Sequence, residues 1–213
     1  MQKDPHAVHI YVDGSFQGHQ GRRAGYAGHV EFPDSPVEEE IVFEGFKEST
    51  NNRMELAAVI AALKWIRENR PTTTRVQIFS DSRYVIDNIP RAPYWCADKW
   101  RTAYGRPIEN ADLWDKFLAA WTRAGVRVDF GSVKGKSTPL LRKVDASAKA
   151  AAKSGVKVDR GYHPGKVRRS LKKGGAATMY LAAGQEAVIR IYWTKLAGRV
   201  EGKPRPPSSC LIC

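Results

Sequence analysis

Alternating apolar and polar positions open the chain. Across residues 7–16, Val8, Ile10 and Val12 share one face, and His9, Tyr11 and Asp13 share the other. This predicts a strand that delivers a carboxylate and then meets Gly14-Ser15, which reads as a turn. Residues 24–32 and 40–46 read as two further strands, separated by Pro33-Asp34-Ser35-Pro36, so an antiparallel meander of three strands is expected.

The period then changes from two to steps of three and four. Leu56, Val59, Ile60, Leu63 and Ile66 form an apolar stripe, with Met54, Ala58, Ala61 and Trp65 beside it. That spacing predicts an amphipathic helix over residues 51–70, capped by Thr50 or Asn51 and stopped before Pro71. Residues 75–79 form a short strand running into Ser80-Asp81-Ser82, where Ser80 or Ser82 caps a helix over residues 83–89 that Pro90 and Pro93 interrupt. Another helix starts at Asn110 or Asp112 with Leu113, Trp114, Phe117, Leu118 and Trp121 inward; residues 126–130 are a fifth strand. Thr138-Pro139 opens a last helix to about Lys153, packing through Leu141, Val144, Ala148 and Ala151. Strands first, then strands alternating with helices, predict an α/β fold: a five-stranded mixed sheet flanked by helices.

Charge divides the chain. The formal net charge is +13, a balance that favours polyanions, nucleic acid first. Residues 155–213 carry twelve Lys or Arg against three acids. The expected organisation is therefore one complete domain over 1–154 and a basic C-terminal extension over 155–213. In that extension residues 177–182 and 186–193 read as short strands, and the end is loose from about residue 203. Nucleic-acid binding is the expected role of Lys166, Arg168, Arg169, Lys172 and Lys173. No run approaches the ~18 apolar residues of a membrane span, so no membrane partner is expected. The N-terminus has no apolar signal region, and three cysteines are too few and odd for a disulfide framework. Both point to a cytoplasmic protein. Cys210-Leu211-Ile212-Cys213 offers only two metal ligands and reads as a frayed end.

Four acids stand at special places: Asp13 on the first strand, Glu55 in the first turns of the long helix, Asp81 where the fourth strand becomes a helix, and Asp145 in the last helix. If the first and fourth strands are central neighbours, Asp13 and Asp81 approach each other and the long helix brings Glu55 between them. Carboxylates so close repel unless cations neutralise them. Hard oxygen donors without a Cys or His cluster favour Mg²⁺ or Mn²⁺ over Zn²⁺. Two such ions about 3.5–4 Å apart are a common device for hydrolysing a phosphodiester. Taken singly, each acid has a plainer reading as a turn, a cap or a solvated charge; only the set points to catalysis.

Five stretches carry a family resemblance: Tyr-Val-Asp-Gly-Ser (11–15), Thr-Asn-Asn-Arg-Met-Glu-Leu (50–56), Phe-Ser-Asp-Ser-Arg-Tyr-Val (79–85), Asn-Ala-Asp-Leu-Trp (110–114), and the Val-Lys-Gly loop (133–135) leading to Asp145-Ala-Ser-Ala. In this order and spacing, over about residues 7–153, they resemble ribonuclease H of the bacterial type 1 class. The resemblance implies an endonuclease that cuts the RNA strand of RNA–DNA hybrids by two-metal-ion catalysis, leaving 5′-phosphate and 3′-hydroxyl ends. It implies two Mg²⁺, with Mn²⁺ as substitute, held by Asp13, Glu55, Asp81 and, more mobile, Asp145. Asn52 would contact the hybrid's minor groove, where the 2′-hydroxyl distinguishes RNA. Residues 91–106, with Trp95, Lys99 and Trp100, resemble the family's basic handle for the DNA strand. The protein is expected to act as a monomer.

Two positions depart from the pattern. Many relatives carry a His in the loop after Val-Lys-Gly; here that place is Lys136. A lysine supplies positive charge but shuttles protons poorly near neutral pH, so a slower enzyme is expected, with Lys136 contacting substrate. His19 stands where relatives often have a substrate-contacting Asn. The alternatives are a nuclease of the same fold acting on structured or double-stranded RNA, or a non-catalytic hybrid-binding protein.

Overall fold

The structure is a computed structural model; it describes residues 2–18, 22–33, 38–69 and 75–163. His19, Pro71 and everything expected of residues 164–213 lie outside the described residues.

The period-two segments form one sheet: β1 (Val8–Gln17), β2 (Arg23–Glu31), β3 (Glu38–Phe46), β4 (Arg75–Ser80) and β5 (Arg127–Ser132). Their spatial order is β3-β2-β1-β4-β5. The meander β1–β2–β3 is antiparallel, and β4 and β5 add in parallel on the other side of β1. The expected mixed sheet is present, with the first strand at its centre and the fourth beside it.

β1 differs from its expectation at one end. It does not stop at Gly14-Ser15 but stays paired to β2 as far as Gln17, opposite Arg23. Gly14 has a packing reason instead. A Cβ there would lie 2.6 Å from the backbone nitrogen of Glu55, so only glycine lets the helix cross this close to the strand.

That helix is α1 (Asn51–Asn69), begun by Thr50 Oγ1 accepting from the Arg53 N–H at 3.3 Å. It buries Leu56, Val59, Ile60, Leu63 and Ile66 against Val8, Ile10 and Val12 of β1. Ser82, not Ser80, caps the short helix α2 (Arg83–Ile86); its hydroxyl accepts from the Val85 N–H, while Ser80 Oγ accepts from the Ser82 N–H. Pro90 lies in a single 3₁₀ turn, and Pro93 falls at the start of α3 (Ala92–Ala97), where its missing N–H costs nothing. α4 (Ala111–Arg123) packs beside α1 through Trp114 and Phe117, both fully buried. α5 (Pro139–Lys153) covers the opposite face. Leu140, Leu141, Val144 and Ala148 there join Tyr11, Ala27 and Phe79 in a second apolar cluster.

The packing does not end at Ser154. Lys157 pairs with the end of β3: its N–H donates to Gly45 O and its carbonyl accepts from the Lys47 N–H. Asp159 is drawn under α1 by Arg53, and Tyr162 lies beneath the Arg22 guanidinium at 5.3 Å. Residues 155–163 therefore clasp the domain they follow.

Candidate functional site

Three elements converge at one end of β1. Asp13 lies near the end of β1, Glu55 in the second turn of α1, and Asp81 immediately after β4. One carboxylate oxygen from each falls within 4.8 Å of the others. Parallel pairing of β1 with β4 brings the two strand ends to the same edge, and the close crossing at Gly14 brings α1 down onto them. Asp145 of α5 lines the same cleft, of about 360 Å³, with Gly14, Gly135 and Lys136. The four acids singled out from the sequence thus come from four different elements to one place.

The electrostatics are those of an overcharged site. Burial is the main cause that pushes the Asp13 carboxyl up to about 7; Asp81 and Asp145 raise it further, and the Gly14 N–H partly opposes them. Glu55 is only 4% exposed. Its acidity is suppressed well above the usual carboxylate range, first by burial, then by Asp13 and Asp81. Glu55 Oε1 accepts from Asn51 Nδ2 at 3.3 Å, whereas Oε2 is buried with no hydrogen-bond partner among the described residues. A buried, unpartnered carboxylate oxygen facing two other acids fits a hard divalent cation. Zinc-type nitrogen or sulfur donors do not appear in the group.

Cations stand on the Asp145 side. Lys149, one turn further along α5, places Nζ 2.8 Å from Asp145 Oδ2, and Lys136 Nζ lies 3.7 Å from the same oxygen. Lys136 sits on the loop between β5 and α5 with φ +60, a left-handed conformation. Gly135 before it is in near contact with Asp81; a Cβ there would lie 2.1 Å from Asp81 Oδ2.

The expected substrate contacts fall at differing places. Asn52 is in the first turn of α1, partly buried. Lys99 is exposed after α3. Trp100 is partly buried against the main core, and Trp95 lies edge-on to Trp114 at 5.7 Å.

Sequence reasoning missed Arg53. It is 3% exposed and makes parallel bonds of 2.8 Å to both oxygens of Asp112, with two more to Asp159 at 2.7 and 2.8 Å. Asn110 Oδ1 accepts from the same guanidinium, and Ser49 Oγ donates to Asp159 at 2.6 Å. This cluster ties the start of α1, which presents Asn52 and Glu55, to the start of α4 and to the clasp. The signal was present: a basic residue inside the 50–56 stretch and an acid inside the 110–114 stretch. Their pairing is not readable without the fold.

Comparison with known proteins agrees with this geometry. The family model described as RNase H matches residues 5–153. A ribonuclease H of Chlorobium phaeovibrioides is 38% identical over 149 residues, covering 68% of this chain and 95% of the relative. A ribonuclease H of Actinobacillus pleuropneumoniae is 34% identical over 163 residues, covering 73% of this chain and 97% of the relative. Among solved structures, LC9-RNase H1, described as a type 1 RNase H with the type 2 active-site motif, is 27% identical. It superposes with a TM-score of 0.59 over 73% of this chain and 76% of that one.

Proposed function

This chain belongs to the ribonuclease H family, and from that premise we propose that it is an endonuclease hydrolysing the RNA strand of RNA–DNA hybrids, leaving 5′-phosphate and 3′-hydroxyl ends. The observation that carries this reading is the meeting of Asp13, Glu55 and Asp81, from three separate elements, within 4.8 Å. No packing need explains such a group, and its raised pKa values mark the ionised acids as costly without cations.

Asp13, Glu55, Asp81 and Asp145 would hold two Mg²⁺, with Mn²⁺ as substitute. When bound, the ions would neutralise the acids, lower the pKa of water and stabilise charge on the departing oxygen. The remaining work falls to the chain's own side chains. Burial of Glu55 and the Asn51 bond to its Oε1 fix one ligand rigidly. Asp145, at the cleft's edge beside Lys149 and Lys136, would be the fourth and more mobile ligand. Lys136 supplies positive charge beside the leaving side of the cleft. Asn52, one turn before Glu55 on α1, reads the minor groove, and Lys99 with the loop after α3 holds the DNA backbone by charge. Trp100, partly buried against the core, supports that loop from below and leaves an edge for substrate.

The catalytic domain would comprise residues 1–154 with 155–163 as its clasp. The basic residues beyond add backbone affinity without sequence preference, which shows as steep salt dependence. No described helix is long and apolar enough to cross a membrane.

The test is cleavage of RNA–DNA hybrid, double-stranded RNA and double-stranded DNA of matched sequence, with Mg²⁺, Mn²⁺ or EDTA. Metal-dependent cutting of only the hybrid's RNA strand supports the reading. Cutting of double-stranded RNA, or hybrid binding without cutting, replaces it.

A further inference from the structure

Tyr104 is 77% exposed, the most exposed large apolar side chain among the described residues. It stands at the tip of a tight loop, residues 101–107, closed by a bridge between Arg101 and Pro107. The loop is fixed from inside. The Thr102 N–H donates to Arg106 O at 2.8 Å, the Gly105 N–H to Thr102 O at 2.8 Å, and the Arg106 N–H to Thr102 Oγ1 at 3.1 Å. Gly105 takes φ +72 to complete the turn, and Ile108 N–H anchors the base on Trp100 O at 2.8 Å. Arg101 and Arg106 stand on the same loop, three residues before and two after Tyr104, and both are exposed; Arg101 Nη1 donates to Gly105 O at 2.9 Å, which holds its guanidinium against the loop.

Reversing the chain here needs the glycine, not an aromatic. A tyrosine ring left in water on so fixed a support is pre-organised for a flat apolar partner. Arginines on either side suit a partner that carries phosphates. Nucleotides have both properties, and aromatic stacking with cationic flanks is the general device for single strands. Inside a duplex both faces of every base are already covered by neighbours. An aromatic platform therefore gains most from a base that is unpaired.

On the strength of the hybrid-cleaving reading above, we propose that the Tyr104 tip is a stacking platform for an unpaired nucleobase where a hybrid gives way to single strand. The protein then prefers hybrids flanked by single-stranded overhang over blunt ones. Arg101 and Arg106 hold the phosphates on either side of the stacked base.

The test uses the full chain in EDTA, so that binding is read without cleavage. Two hybrids are compared, one blunt and one with a short DNA overhang carrying 2-aminopurine at its first unpaired position. The wild type is expected to bind the overhang hybrid about tenfold more tightly and to quench the 2-aminopurine. Tyr104→Ala brings the affinity ratio close to one and abolishes the quench; Tyr104→Phe keeps both. A wild type that binds blunt hybrid equally well, or a Tyr104→Ala variant that keeps the ratio and the quench, overturns this inference alone. A protein that binds neither duplex overturns the hybrid reading with it.

Discussion

Arg53 on α1 grips Asp112 on α4 through two parallel N–H···O bonds, each 2.8 Å long. The same guanidinium also holds Asp159, so one buried cation joins two helices and the clasp. Removing one partner of such a buried cluster strands the others. Arg53→Ala is expected to cost about 3 kcal/mol or more, and to lower Tm by roughly 6–12 °C. Arg53→Lys, which keeps charge but loses the planar fork, should recover only part of this. Thermal unfolding of the three proteins checks it. Equal Tm values would show that the cluster contributes nothing beyond the packing around it.

Asp159 gives the cluster a pH signature. Burial pushes its carboxyl up, but hydrogen bonds from Arg53 and Ser49 outweigh that and hold it below the ordinary value. A folded pKa below the unfolded one means stability that is present above about pH 4 and lost as pH falls through the folded value. Urea unfolding midpoints of wild type and Asp159→Asn should differ at pH 7, and the difference should be smaller at pH 3. A constant difference at both would contradict the assignment.

Asp13 should behave in the opposite sense. Its carboxyl is pushed up to about 7, mainly by burial, so the fold favours the protonated form. That contribution is complete below about pH 4 and gone once pH rises past about 7. Metal-free protein should therefore lose stability between those values, and Mg²⁺ should restore it. Asp13→Asn should remove most of that slope, raise the metal-free Tm at pH 8 by roughly 3–6 °C, and cut hybrid cleavage by roughly 10³-fold or more. Melting curves with and without Mg²⁺ across pH, beside a cleavage assay, read all of this out. Unchanged metal-free stability in the variant would mean the acids are less strained than their burial implies.

Much of this was legible in the chain. Apolar periodicity marks the three longer helices because each buries one face, whereas β2, β4 and β5, covered on both sides of the sheet, read as short apolar runs between turn signals. The three-acid centre was legible because its members sit at strand and helix ends inside recognisable stretches. Other features left no periodic trace. β1 runs through Gly14-Ser15 because α1 presses on it, a contact made by a helix some forty residues later. Arg53 looks like an ordinary helix-surface residue until α4 and the clasp close over it. Trp95 and Trp100, expected in the basic handle, are partly buried against the core, a contact that the basic sequence around them does not announce. The composition break at Ser154 marks where charge changes, whereas packing continues to Tyr162.

Gly135 tests how closely the loop after β5 is fitted to the acids. A Cβ there would stand 2.1 Å from Asp81 Oδ2, well inside contact distance. Gly135→Ala must move either the loop or the carboxylate. Because Asp81 is at the surface of the cleft, the fold should tolerate this with a Tm change of no more than about 3 °C. Activity should fall by roughly tenfold or more, because a displaced ligand no longer meets Asp13 and Glu55 at the right distance. The informative readout is the Mg²⁺ concentration for half-maximal cleavage, which should rise. A fall in kcat at unchanged Mg²⁺ demand would place the fault in the loop itself, not in Asp81.

Lys136 is the residue on which the rate should turn. It lines the cleft, and its Nζ is 3.7 Å from Asp145 Oδ2, so its charge is already spent partly on that acid together with Lys149. A lysine there stabilises anionic oxygen but exchanges protons poorly near neutral pH, whereas an imidazole titrates in that range. The left-handed backbone, φ +60, favours the exchange, since histidine populates that region more readily than most side chains. Lys136→His is therefore expected to raise kcat several-fold near pH 7 and to introduce a falling limb as pH rises past about 6.5, where the imidazole loses its proton. Lys136→Ala should lower kcat without that limb. Single-turnover cleavage across pH separates chemistry from product release. If Lys136→His and Lys136→Ala both match the wild type at every pH, the loop takes no part in proton transfer, and the rate rests on the four acids and their ions alone.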